Sequence, residues 1–120
     1  MNNNYIVKIG DITDNIKNIT IEAFLKSLKK FELKDTIVVI LDLEDVSGKI
    51  NGLLVTDRDD ESTKIVDTII ANKEYQIRGN IIKMNDNIKN DFYNFTGKSV
   101  ENYIVGNNVL FVKSIKQNDK

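Results

Sequence analysis

At 120 residues the chain is about one domain long, and its 41% hydrophobic content allows a single modest core. Seventeen basic against eighteen acidic residues leave a net charge of −1, so the overall field does not advertise nucleic acid or an anionic membrane, and any polyanion site must be local. With no His and no Cys there is no disulfide framework, no usual zinc site, no Ser-His pair and no usual general base at neutral pH, so neither an enzyme nor a metal or cofactor centre is expected.

Residues 1–17 read as an N-terminal extension. The start "MNNNYIVKIG" lacks the basic head and apolar stretch of a secretory signal, and no apolar run reaches the roughly 18 residues of a membrane span, so a cytoplasmic protein with no membrane partner is expected. The segment Ile19 to Lys34 fits two periods. As a helix it stripes Ile21, Phe24, Leu25 and Leu28, and as a strand it alternates Ile19, Ile21, Ala23 and Leu25. From Thr36 to Glu44, "TIVVILDLE" keeps Ile37, Val39, Leu41 and Leu43 apolar, which predicts a strand with one face dry along its length. Ser47-Gly48 supplies a turn and "KINGLLV" resumes as a second strand, so the two form a hairpin. Asp45, just before that turn, is placed to accept hydrogen bonds from the turn's own N–H groups, which makes a structural role a better reading than a ligand role.

Next, Ile65, Val66, Ile69 and Ile70 recur at the spacing of a short helix that buries one face. Asp59, Asp60, Glu61 and Ser62 at its head cap free N–H groups and complement the helix dipole. A calcium loop counted from Asp57 fails, because its sixth position is Ser62 instead of Gly and its twelfth is Thr68 instead of Glu. After Asn72, a residue suited to a left-handed stop, "EYQIRGNIIKM" alternates as a strand that Gly79 interrupts in the manner of a bulge. Residues 85–108 are polar and Asn-rich and read as a long loop carrying Phe92, Tyr93, Phe95 and Tyr103. "NVLFVKSIKQ" closes as the last strand before a frayed tail at 117–120.

Hairpin, short helix, strand, long loop, strand: that order resembles the OB-fold, and it decides Ile19 to Lys34 in favour of a first strand. "LEDVSGKINGLLV" resembles the central hairpin of the nucleic-acid-binding OB family of replication protein A and related single-strand binders, where an apolar strand ends in Asp-x-Thr/Ser-Gly-x-Ile. "NKEYQIRGNI" is similar to that family's fourth strand, and "YIVKIGDI" to the start of archaeal replication protein A modules. The OB domain of the PolC-type DNA polymerase III is more similar still, with an acidic Arg-Asp segment like Thr56 to Glu61 and an Arg-Gly pair like Arg78-Gly79. The resemblance covers nearly the whole chain. It implies one all-β domain, 1–120: a five-stranded Greek-key OB barrel with one short helix between the third and fourth strands.

It also implies a non-catalytic module for single-stranded DNA or RNA, working in replication or repair beside other proteins of those processes. Such modules hold a strand across the second and third strands, with cations on phosphates and rings under bases. Lys26, Lys29, Lys30 and Lys34 gather around Phe31 as the one basic patch with a ring. Lys83, Lys98 and Tyr93 flank the groove from the long loop, and Arg78 points outward from the barrel. No catalytic or metal-binding residue is expected. Two features oppose this reading. Val55 stands where relatives often carry an aromatic, and Asp42 and Glu44 would repel phosphate. The alternative is an OB-fold module for protein–protein interaction or assembly, which the outward apolar residues Val38, Ile40, Leu53 and Val55 would suit.

Overall fold

The structure, a computed structural model, describes residues 6–13 and 15–118. Five strands, β1 (Ile19–Glu32), β2 (Thr36–Asp45), β3 (Gly48–Asp57), β4 (Lys73–Lys83) and β5 (Asn108–Gln117), close into a barrel in the order β1-β2-β3-β5-β4. All pairings are antiparallel except β3 with β5. This is the Greek-key barrel of the OB type that the order of elements predicts.

β1 is a strand because pairing on both edges outweighs its helical stripe. Ile19 to Leu25 pair with Gly79 to Lys73 of β4, and Phe24 to Glu32 pair with Glu44 to Ile37 of β2. Ile6 bridges Thr20 on the remaining edge, and Val7 N–H donates to Thr20 O at 2.8 Å. A register shift between Leu25 and Ser27 bends the strand so that it serves both halves of the barrel. The shift also inverts its faces. Ile19, Ile21, Ala23 and Leu25 point inward before it, whereas Phe31 beyond it belongs to the packing outside the barrel. The lysine cluster therefore sits on a paired strand, with only Lys34 in the turn that follows.

Inside the barrel, Ile21, Leu25, Ile37, Val39, Leu41, Leu43, Ile77, Ile81 and Leu110 are almost fully buried. Helix α1 (Asp60–Asp67) adds Val66 to this core, and Ile69 follows it. Asp59 caps α1 by accepting from Ser62 N–H at 2.7 Å, as its position predicts. Ile65 and Ile70, expected on the buried stripe, are exposed. The helix stops at Asp67, earlier than Asn72, yet Asn72 does take the left-handed conformation (φ 69°) and donates its N–H to Leu25 O at 2.7 Å on the way into β4. Gly79 sits at a second register shift, where an added Cβ would lie 2.0 Å from Phe111 O. Only glycine permits that approach of β5.

The polar stretch 85–108 corrects the expectation of a loop. It contains helix α2 (Asp86–Thr96) and a 3-10 turn at Val100–Asn102. Asn85 caps α2 by accepting from Ile88 N–H at 2.9 Å, and Gly97 ends it at φ 72° with its N–H on Tyr93 O at 2.8 Å. Within the N-terminal extension, Val7, Ile9, Ile12 and Ile16 join the packing of the main core. Gln117, the start of the expected tail, still pairs with Tyr75, and the last two residues of that tail lie outside the described residues. Among the described residues no helix is long and apolar enough to cross a membrane.

Candidate nucleic-acid interface

The outer faces of β1, β2 and β3 align in rows across the sheet: Ser27 beside Asp42 beside Asn51, Lys29 beside Ile40 beside Leu53, and Phe31 beside Val38 beside Val55. This is where the resemblance places a strand. The molecule fills most of it with its own chain. Phe31, Val38, Ile40 and Leu53 form a second core with Phe92 of α2, Val100, Ile104 and Val109. Phe31 is only 8% exposed, and its ring meets the edges of Phe92 (5.5 Å) and Tyr103 (5.3 Å). It packs within the second core, which leaves little of its face open to a base. Val38, Ile40 and Leu53 are likewise covered, and of the four expected outward apolar residues only Val55 stays open.

Asn51 fastens this cover. Its Nδ2 donates to Asp42 Oδ1 (2.8 Å) and Leu41 O (3.2 Å), while its Oδ1 accepts from Val105 N–H (2.9 Å). Beside α2 an apolar cleft of about 160 Å³ remains, lined by Val38, Leu53, Val55, Ile88, Phe92, Phe95 and Phe111 with Asp91 as its one charge. Tyr93 and Phe95 are both 59% exposed on α2, so Tyr93 keeps the open ring expected of it.

The expected cations divide. Lys26 pairs with Glu44 (3.9 Å) and Lys30 with Asp67 of α1 (3.2 Å), which leaves less of their charge for a ligand. Lys29 lies 6.0 Å over the Phe31 ring. Lys34 and Lys98 are exposed, in the β1–β2 turn and just after α2. Lys83 ends β4, where its N–H donates to Asn15 Oδ1 at 3.5 Å. Of the lysines around Phe31, Lys29 lines a shallow cavity with Ser27, Asp42, Asn51 and with Asn102 and Tyr103 of the 85–108 excursion.

Asp45 has the structural role its position predicts. It accepts from Ile9 N–H (2.8 Å), Ser47 N–H (2.7 Å), Ser47 Oγ (2.5 Å) and Gly48 N–H (3.1 Å), so the hairpin turn and the N-terminal segment share one carboxylate. Burial pushes its pKa up, but the donors from Ile9, Ser47 and Gly48 outweigh burial and hold it below the ordinary Asp value. The Ser62 N–H and hydroxyl likewise hold Asp59 low.

Arg78 is exposed on the opposite side of the barrel, as expected, and it has company the sequence did not reveal. β1, β4 and β5 place Thr20 beside Arg78 beside Ser114, with Gln76 beside Lys116 in the adjoining row. These five residues and Ile115 line a polar concavity. Alternation in β4 put Gln76 and Arg78 on one face, but only the β4–β5 register brings Ser114 and Lys116 to them. No model of a known protein family matches this chain, and no curated protein matches it.

Proposed function

We propose that this chain is a non-catalytic OB module that binds single-stranded nucleic acid, in the setting of replication or repair, through the outer face of β4 and β5. The observation that carries this reading is Arg78: an exposed guanidinium without an ion pair among the described residues, beside Lys116 in a polar concavity. The barrel order and the Asp45-x-Ser47-Gly48-x-Ile50 hairpin support the same family reading. Charge supports the choice of face. On β2 and β3, Asp42, Glu44, Asp45 and Asp57 outnumber Lys49, whereas on β4 and β5, Lys73, Arg78, Lys83, Lys113 and Lys116 outnumber Glu74. A polyanion is repelled from the first pair and drawn to the second.

A second reading has its own observation. The cleft between α2 and β3 is apolar, contains no cation and carries the exposed ring of Phe95, a lining suited to a protein side chain. Fluorescence anisotropy with labelled oligo-dT, oligo-rU and duplex DNA separates the two. The single-strand reading expects binding to a single strand that weakens steeply with salt as counterions are recaptured. No binding to any of the three at low salt would leave the protein-interaction reading in its place.

A further inference from the structure

We propose that the concavity around Arg78 is a pocket for a terminal phosphate, so that the module grips the end of a strand. This rests on the single-strand reading above and adds which part of the strand is held.

The pocket has a volume of about 210 Å³ and is lined by Thr20, Gln76, Arg78, Ser114, Ile115 and Lys116. Its polar groups are a guanidinium, an ammonium, two hydroxyls and an amide, and every one of them can donate a hydrogen bond. Among the described residues none of these side chains makes a hydrogen bond or ion pair, so their donor capacity is unspent. Among the described residues no carboxylate lines the pocket. The nearest acid by register is Glu22, opposite Gln76, and its Oε2 accepts from Asn118 Nδ2 at 3.2 Å. Thr20 is buried at one side of the concavity, where Ile6 bridges its remaining strand edge.

A phosphate monoester suits such a site better than an internal diester does. It carries about −1.5 to −2 charges at neutral pH and three acceptor oxygens, against one charge and two free oxygens for the diester. The planar fork of Arg78 can take two of those oxygens side by side, with Lys116 as a point charge and the hydroxyls of Thr20 and Ser114 as donors to the third.

The test compares a short, internally labelled single strand carrying a 5′-phosphate, a 3′-phosphate or hydroxyls at both ends. One phosphorylated end is expected to bind on the order of tenfold more tightly than the hydroxyl form, and Arg78→Gln or Lys116→Gln should bring that ratio close to one. Inorganic phosphate, titrated by NMR, should shift the amides of Thr20, Gln76, Arg78 and Ser114 saturably in the wild type but not in Arg78→Gln. Equal affinity for all three strands, or no saturable phosphate shift in the wild type, overturns the pocket. A phosphate shift without binding of any strand would support the pocket and overturn the single-strand reading instead, so the two failures are told apart.

Discussion

Asp45 joins two segments through one side chain, and its loss should be felt in both. Asp45→Ala removes the acceptor for Ile9, Ser47 and Gly48 N–H groups and should cost about 1–2 kcal/mol in a denaturant melt. The sign of the pH effect follows from the lowered pKa. The unfolded state binds the proton first, so the contribution of Asp45 is fully present above the unfolded value and is lost as pH falls through the lower folded value. The acid limb of the stability curve should therefore be shallower in Asp45→Asn than in the wild type. Asp59, fully exposed at the α1 cap, acts with the same sign and keeps part of that limb. Phe31 makes a contrasting prediction. Buried between Phe92 and Tyr103, it should cost about 3–5 kcal/mol as Phe31→Ala, a loss of core packing that shows in a melt whether or not a nucleic acid is present. A melt that hardly moves would return the ring to the ligand-binding role.

At the scale of elements, what the sequence reveals depends on how local the signal is. The β2–β3 hairpin was legible because its alternation and its turn chemistry lie within one continuous stretch, and Asp45 could be assigned for the same reason. α1 was legible from its acidic cap, although of its expected apolar stripe only Val66 is both helical and buried. α2 was not, because Ile88, Phe92 and Phe95 are its few apolar positions among Asn, Asp and Lys, and the stripe is too sparse to stand out from loop composition. Phe31 misled for another reason. The bulge after Leu25 changes the phase of β1, and no local pattern announces where a strand slips by one residue. Arg78 could be read as outward-facing, but its neighbours Ser114 and Lys116 come from a register that nothing near Arg78 encodes. The cover over the β2–β3 face gives a test of its own. Asn51→Ala should leave the Val105 N–H without its acceptor, lowering stability by about 1–3 kcal/mol and accelerating hydrogen exchange at Val105 and along the 3-10 turn. Unchanged exchange there would mean that the packing of Phe92 and Ile104 alone holds the segment down.

Over the whole molecule, a nearly neutral net charge conceals a division of labour. The acidic outer residues of β2 and β3 share their side with a helix that seals the apolar surface, while the cations of β4 and β5 stay open to solvent. On the single-strand reading proposed above, with the β2–β3 face packed under the chain itself, Arg78 with Lys116 is the place the charges leave for a polyanion. The most direct measurement is the salt dependence of binding to a labelled single strand by the wild type and by two double variants. Arg78→Ala with Lys116→Ala should flatten the logarithmic salt slope by roughly 1.4, at about 0.7 per phosphate contact. Lys26→Ala with Lys30→Ala, whose charges are already paired, should leave that slope nearly unchanged. The reverse pattern, a slope lost with Lys26 and Lys30 and kept without Arg78 and Lys116, would contradict the account.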